Sequence, residues 1–276
     1  WKMCGITGLW DRTGTGDASA VIAMRDALSH RGPDDAGVET WPEHGVGLGH
    51  TRLAILDLSP MGHQPMYSHD SSLCITYNGE VYNFKEIRRE LEQLGYKFRS
   101  ESDTEVLLQA YQEWGEASAC RFRGMFAYAI WDTYRRQMVL FRDRVGIKPL
   151  YYYWDGRTFA FASEIKAILT LQAVNREPDV GAMSDYLTYL YIPAPKSAYK
   201  FIKKLLPGHT LSLPHDQGSP ILRRYWRLEP SESGIQNRTD AIHAVRDELK
   251  SAVQAHLVSD VPVGVLLSGG IDSRVD

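Results

Sequence analysis

Cys4 stands directly after Met3, at the head of the apolar run Gly5 to Trp10. A lone cysteine at a strand start reads as a small buried hydrophobe. Once Met3 is removed it has a second reading, a thiol with its own α-amine beside it. The amine has a reference pKa of about 7.7 to 8.0 and a free thiol one of about 8.5, so the amine can take the thiol's proton and no histidine is needed. Asn78-Gly79 is the strongest two-residue hairpin signal. Alternatively, the Asn amide and the Gly N–H converge on one developing oxyanion. Asp103 reads as a helix N-cap and Arg52 as a surface charge, yet a carboxylate and an Arg fork together would hold both ends of a free α-amino acid. His30, His50 and His63 offer a Cys–His pair, but each sits beside turn residues with no Asn or Asp partner fixed by spacing. Near the C-terminus Ser268-Gly269-Gly270-Ile271-Asp272-Ser273 follows the apolar run Val261 to Leu267. Alone, such a stretch is an exposed glycine turn. After a buried strand, its N–H groups and hydroxyls suit a pyrophosphate, with Asp272 placed for Mg²⁺; no Lys follows the glycines, so it is not a Walker loop.

These residues need elements to position them. Val21, Met24 and Leu28 recur at spacings of three and four, which predicts a helix over 18–29. Asn83 with Glu86 has capping-box spacing, and Ile87, Leu91 and Leu94 make one face before Gly95. A third helix is expected over 104–114, with Asp103 at its start and Gly115 past its end. Strand-type segments run over 5–10, 46–56, 73–78, 126–132, 137–142, 150–154 and 158–162, and their short polar links imply antiparallel hairpins with helices outside. Tyr151-Tyr152-Tyr153-Trp154 reads as one such strand rather than a base-stacking platform. Pro and Gly punctuate the chain from Ser184 to Pro220, the signature of a domain edge and linker. A new helical period then runs over 239–257, followed by the strand and glycine loop of a second domain that has barely begun.

Across 276 residues, 43% hydrophobic and 24% charged residues describe an ordinary two-domain globular chain. A net charge of -3 disfavours a broad nucleic-acid footprint. The lack of a ~18-residue apolar run or a signal pattern implies no membrane and a cytoplasmic address. Three cysteines, Cys4, Cys74 and Cys120, are too few and too scattered for a disulfide framework or a zinc cage.

Met3-Cys4-Gly5-Ile6, His30-Arg31-Gly32-Pro33-Asp34, His50 to Ile55, Tyr77 to Asn83 and Ser102-Asp103-Thr104-Glu105 together resemble the class II glutamine amidotransferases. Gly124 to Ala127, Arg142 to Tyr151 and Phe161 to Ala167 extend the likeness. The loop Ser268 to Ser273 resembles that of the ATP pyrophosphatases. The whole set, Met3 to Ser273, looks like the glutamine-hydrolysing asparagine synthetases. The resemblance implies an α+β fold, a four-layer αββα N-terminal-nucleophile hydrolase domain, followed by the beginning of an α/β ATP-pyrophosphatase domain. The expected boundaries are an extension over 1–3, the glutaminase domain over 4–215, a linker over 216–237 and the truncated start of the second domain over 238–276.

By the same likeness Cys4 is the nucleophile, with Asn78 and Gly79 holding the oxyanion. Arg52, Leu53, Ala54, Ile55, Leu56, Asn78, Gly79, Glu80 and Asp103 bind glutamine. Leu267, Ser268, Gly269, Gly270, Asp272 and Ser273 hold ATP and its pyrophosphate, with Asp272 toward Mg²⁺. The expected partners are glutamine, aspartate and ATP, without nucleic acid or membrane, and a homodimer is admitted. Trp1 and Lys2 precede Met3, so this chemistry requires that residues 1–3 be removed. The ending Arg274-Val275-Asp276 departs from the small or apolar residues expected as the loop enters its helix. Two other readings stay open: the same half-reactions on another carboxylate acceptor, and a non-catalytic glutamine-binding module.

Overall fold

The computed structural model describes residues 3–13, 18–230, 234–235, 237–262 and 264, in two compact units over Trp1–Pro230 and Ser231–Asp276. The first unit is built on two six-stranded sheets. Its strands are β1 (Gly5–Asp11), β2 (Asp35–Trp41), β3 (Val46–Arg52), β4 (Met66–Tyr67), β5 (Leu73–Val81), β6 (Gly124–Asp132), β7 (Gln137–Arg142), β8 (Tyr151–Trp154), β9 (Thr158–Ala162), β10 (Ile202–Lys204), β11 (His209–Pro214) and β12 (Ile221–Arg224). One sheet has the order β10-β8-β9-β1-β3-β2 and the other β12-β11-β7-β6-β5-β4, and every pairing within strands is antiparallel. Short links make hairpin neighbours cheap to close, which is why β2-β3, β4-β5, β6-β7 and β8-β9 are adjacent, whereas β5 and β6 pair across the connection that carries the helices over 84–114.

Alternation along the strands sorts side chains into layers. Ile6 and Trp10 of β1, Phe159 and Phe161 of β9, Ala127, Ala129 and Trp131 of β6, and Met138 and Leu140 of β7 meet between the sheets. Leu9, Ala160 and Ala162 point the other way. They are covered by Val21, Met24 and Leu28 of helix α1 (Ala18–Asp26) and its following turns, and by Ala167 and Ile168 beyond β9. On the far sheet Tyr128 and Phe141 stack at 4.3 Å, and Tyr111 packs edge-on to Phe141. Helix α2 (Phe84–Gln93) lies on helix α3 (Asp103–Trp114), and α3 lies on β5. The layers are therefore helix, sheet, sheet, helix. Helix α4 (Ile165–Ile168) and helix α5 (Val180–Tyr189) complete the unit.

Several local expectations change. Asn83 makes no capping bond; its side chain instead donates to Arg121 O and accepts from Arg123 N, tying the loop before β6. Ser102, not Asp103, caps α3, accepting from Thr104 N at 3.0 Å. β3 stops at Arg52 rather than residue 56. The Pro- and Gly-rich stretch read as a domain edge holds β10 and β11, short strands bounded by those turn residues. β12 lies inside the expected 216–237 linker and pairs with β11, so the first unit runs on to Pro230.

In the second unit helix α6 (Arg238–His256) starts at Asn237, whose side chain accepts from Asp240 N at 2.9 Å. Ile242, Val245, Leu249 and Val253 form an exposed apolar stripe along it. Of the strand expected over 261–267 only Val261, Pro262 and Gly264 are described, and none is in a strand; the rest of it and the glycine loop over 268–273 lie outside the described residues. Among the described residues no helix is long and apolar enough to cross a membrane.

Candidate active site

Antiparallel pairing of Gly5 with Thr51 puts the residue before β1 beside the end of β3. Cys4 therefore meets the chain as it leaves Arg52: its Sγ lies 3.4 Å from Leu53 N, which donates to it, and 3.5 Å from Leu53 O. Arg31 fixes the Cys4 backbone, donating from Nε to Cys4 O at 2.9 Å while its Nη1 pairs with Glu164 at 2.8 Å. Burial pushes the thiol up, against the pull of the Leu53 N–H and the positive charges of Lys148 and Arg52. The thiol is thus neutral at neutral pH and needs a base to react.

Asn78 and Gly79 lie inside β5, not at a turn, so the hairpin reading of this dipeptide fails. The register explains what they can do. Gly79 faces Phe126, whose own N–H and C=O are bonded to Asp143 on the opposite side. The Gly79–Phe126 pair is therefore of the non-hydrogen-bonded kind, and the N–H groups of Tyr77, Gly79 and Val81 all point away from β6. Tyr77 N–H donates to Gln64 Oε1 at 2.7 Å and Val81 N–H to Asp103 Oδ2 at 3.0 Å. Gly79 N–H stands between them on the same side, where Gly79 lines the cavity shared with Cys4. A Cβ at Gly79 would fall 2.2 Å from Met125 O, so only glycine allows this approach. Asn78 is buried, and its Nδ2 is a donor without a partner in the structure. Leaving such a group unmade costs about 1–3 kcal/mol, which marks it as awaiting an acceptor.

Asp103, the first residue of α3, is turned inward. Its Oδ2 accepts from the Tyr77 hydroxyl at 2.7 Å and from Val81 N–H. Burial, helped by the negative charge of Glu80, pushes its carboxyl up to about 6 despite those donors. Arg52 is buried and gives its guanidinium to Ser59 O at 3.2 Å, Leu56 O at 3.3 Å and Asp57 O. A Cβ at Gly62 would strike it at 2.0 Å, so that glycine makes the room. Arginine carries more N–H donors than these carbonyls use.

One cavity is lined by Cys4, Arg52, Leu53, Ile55, Leu56, Asn78, Gly79, Glu80 and Asp103. Ala54 is not part of its lining; its N–H is bonded to Asp34 Oδ2 at 2.9 Å. No histidine lines it either. His50 is buried and joins the sheets through Tyr77 O at 3.0 Å, His63 pairs with Asp35, and His30 with Glu164. Burial pulls His50 down to about 4, so its ring is neutral and donates to that carbonyl. Leu267, Ser268, Gly269, Gly270, Asp272 and Ser273 lie outside the described residues. Among the described residues no cluster of His, Cys, Asp or Glu could hold a metal ion.

The family model for a glutamine amidotransferase domain matches residues 3–226. The chain belongs to this family. A second model, asparagine synthase, matches residues 244–275. Two proteins of Bacillus subtilis (strain 168), named glutamine-hydrolyzing asparagine synthetase 3 and 1, are 42% and 38% identical over 98% of the chain. The chain covers 44% and 43% of them, so it spans less than half the length of these curated relatives. The B. subtilis glutamine phosphoribosylpyrophosphate amidotransferase, solved with ADP and GMP, superposes with a TM-score of 0.59 at 20% identity, over 81% of this chain and 49% of that one. That likeness shows a shared fold, two antiparallel sheets between layers of helices.

For an amidotransferase domain, sequence reasoning missed four residues that shape the cavity or its walls. Gln64 and Tyr77 orient β5 and Asp103, Arg31 holds the Cys4 carbonyl, and Lys148 lines the cavity itself. Gln64 carried no local signal, and Tyr77 opened the motif Tyr77 to Asn83 without a role, since what both do depends on partners more than ten residues away. Arg31 and Lys148 each lay in a Gly- and Pro-containing motif that attracted notice without a role.

Proposed function

We propose that the first unit hydrolyses the side-chain amide of glutamine, with Cys4 as nucleophile after removal of the residues before it. What carries the reading is the shared cavity that sets an unpaired, buried Asn78 amide and the Gly79 N–H around the Cys4 thiol. The freed α-amine takes the thiol proton as sulfur attacks the amide carbon. The carbonyl oxygen becomes an oxyanion held by Gly79 N–H and by Asn78 Nδ2, a donor without a partner in the structure. The C–N bond breaks, the amine's proton goes to the leaving nitrogen, and ammonia departs from a γ-glutamyl thioester. Water, deprotonated by the same amine, then releases glutamate and restores the thiol. Asp103, with Glu80 near it, binds the substrate's ammonium, and Arg52 with the 53–56 backbone binds its carboxylate.

In the whole protein the ammonia passes to aspartate, activated on ATP with Mg²⁺ as an aspartyl-adenylate, giving asparagine, AMP and pyrophosphate. The 42% identity to a protein named asparagine synthetase and the match of residues 244–275 support that acceptor. The test is glutamate release by the chain beginning at Cys4. Cys4→Ala should abolish it, while Cys74→Ala and Cys120→Ala retain it, and a glutamine-like electrophile should label Cys4 alone. Labelling of Cys74 or Cys120 instead would remove Cys4 from the chemistry.

A further inference from the structure

Lys148 lies in the turn between β7 and β8, lines the cavity with Cys4, Asn78 and Glu80, and is 7% exposed. Its backbone is held at both ends: its N–H donates to Asp143 Oδ2 at 2.9 Å and its C=O accepts from Arg142 Nε at 3.0 Å. Its Nζ donates to Met3 Sδ at 3.5 Å. A thioether is a weak acceptor, and a buried ammonium normally faces something better. This one is aimed at the very residue that must leave before Cys4 can act.

We propose that Lys148 is a positioning residue whose charge keeps the freed α-amine of Cys4 in its neutral, basic form. The inference rests on the function proposed above and deepens it. With Met3 gone, an α-ammonium would be a second cation in a cavity that already holds the Lys148 ammonium. Two such charges lining one poorly solvated cavity repel strongly, and one proton must go. The reference values decide which: about 7.7 to 8.0 for an α-amine against about 10.4 for lysine. On balance burial holds Lys148 below the usual lysine value, with Arg31 adding to the lowering and Glu80, Cys4 and Asp143 opposing it. The gap to the α-amine narrows without changing which group is the stronger base. Around the thiol stand the cations Lys148 and Arg52 and the anion Asp103. The lysine therefore stays charged, the amine sheds its proton, and the same positive charge lowers the cost of a thiolate.

The test uses the chain from Cys4 onward and reads kcat against pH at saturating glutamine, where Asp103 is already engaged by substrate. Lys148→Met should move the acid limb up by about one unit, so that kcat well below the limb falls about tenfold. Lys148→Arg, which keeps the charge, should leave the limb in place. A lysine serving packing alone would lower kcat evenly across pH in both variants, and that result, or an unmoved limb in Lys148→Met, overturns the proposal. A measurement needing no variant stands beside it. In the unsubstituted chain the Cys4 amine, followed by NMR, should titrate below about 7, and a value at or above the reference range overturns the proposal. A chain from Cys4 that neither releases glutamate nor is labelled at Cys4 would sink the proposed function, and this inference with it.

Discussion

Asp103 is a carboxylate kept close to its protonation point by its surroundings. Burial raises it to about 6, while Tyr77 and Val81 donate to the charged form. The charge that would hold a substrate ammonium is therefore present above pH 6 and lost as pH falls through it. Under the proposed chemistry, KM for glutamine should rise about tenfold per pH unit below about 6, and Asp103→Asn should raise KM throughout and erase that rise. A KM flat from pH 5 to 8 in the parent chain would remove Asp103 from the substrate's ammonium. Asn78→Ala should behave differently, lowering kcat by about 10² to 10³ with little change in KM, because its amide meets an acceptor only as the oxyanion forms. Of these residues, the types and their order were readable in the sequence. Two assignments based on local pattern failed for one reason. Asn-Gly signals a turn only where the chain is free to turn, and here β6 pairs both residues into β5. Asp103 was assigned the cap because nothing local reveals that Ser102 would take that role and turn the carboxylate inward.

At the scale of elements, the site exists because one strand end, one strand exit and one strand edge come together from two sheets. Helices with clear periods, α1, α2 and α3, were legible because packing one apolar face dictates spacing. The short strands β2, β4, β10, β11 and β12 were not. β4, β10 and β12 are too brief for alternation to register, while β2 and β11 directly follow the turn residues His30 to Asp34 and Pro207-Gly208, which read as breaks rather than as strand starts. The sheets are tied together near the site by Thr76 Oγ1 donating to Gly49 O at 3.1 Å and by His50 donating to Tyr77 O. His50, drawn down to about 4 by burial, binds its proton more readily in the unfolded chain. Between about pH 6.5 and 4 the unfolded state holds more protons, so stability falls as pH falls through that window, by roughly 3 kcal/mol from this group alone. His50→Gln, which keeps a donor, should be less stable at neutral pH yet lose less on acidification. Urea unfolding at pH 7.5 and 4.5 measures both, and equal acid losses in the two proteins would show that His50 is not a source of the pH dependence.

On the scale of the molecule, the first unit carries its own core. The described residues that pack between the sheets and beneath the outer helices run from Ile6 to Leu213. Where that unit ends has a measurable consequence. β12 pairs with β11 from Ile221 to Arg224, and Tyr225 then donates its hydroxyl to Arg142 O at 2.7 Å. Arg142 in turn donates to Lys148 O, Leu205 O and Gly146 O, holding the turn that presents Lys148 to the cavity. A chain ending at Pro230 keeps all of this. A chain ending at His215 loses an edge strand, exposes the free side of β11 and strands the Arg142 carbonyl without its hydroxyl donor. The cost of that cut should be about 2 kcal/mol, which for a unit of this size is a drop in Tm of roughly 4–8 °C. Truncation after Pro230 should leave Tm within about 1 °C of the full chain and keep glutamate release from the chain beginning at Cys4. Equal melting temperatures for the two truncations would mean that β12 adds nothing to the fold. A large loss on cutting at Pro230 would mean that the second unit supports the first.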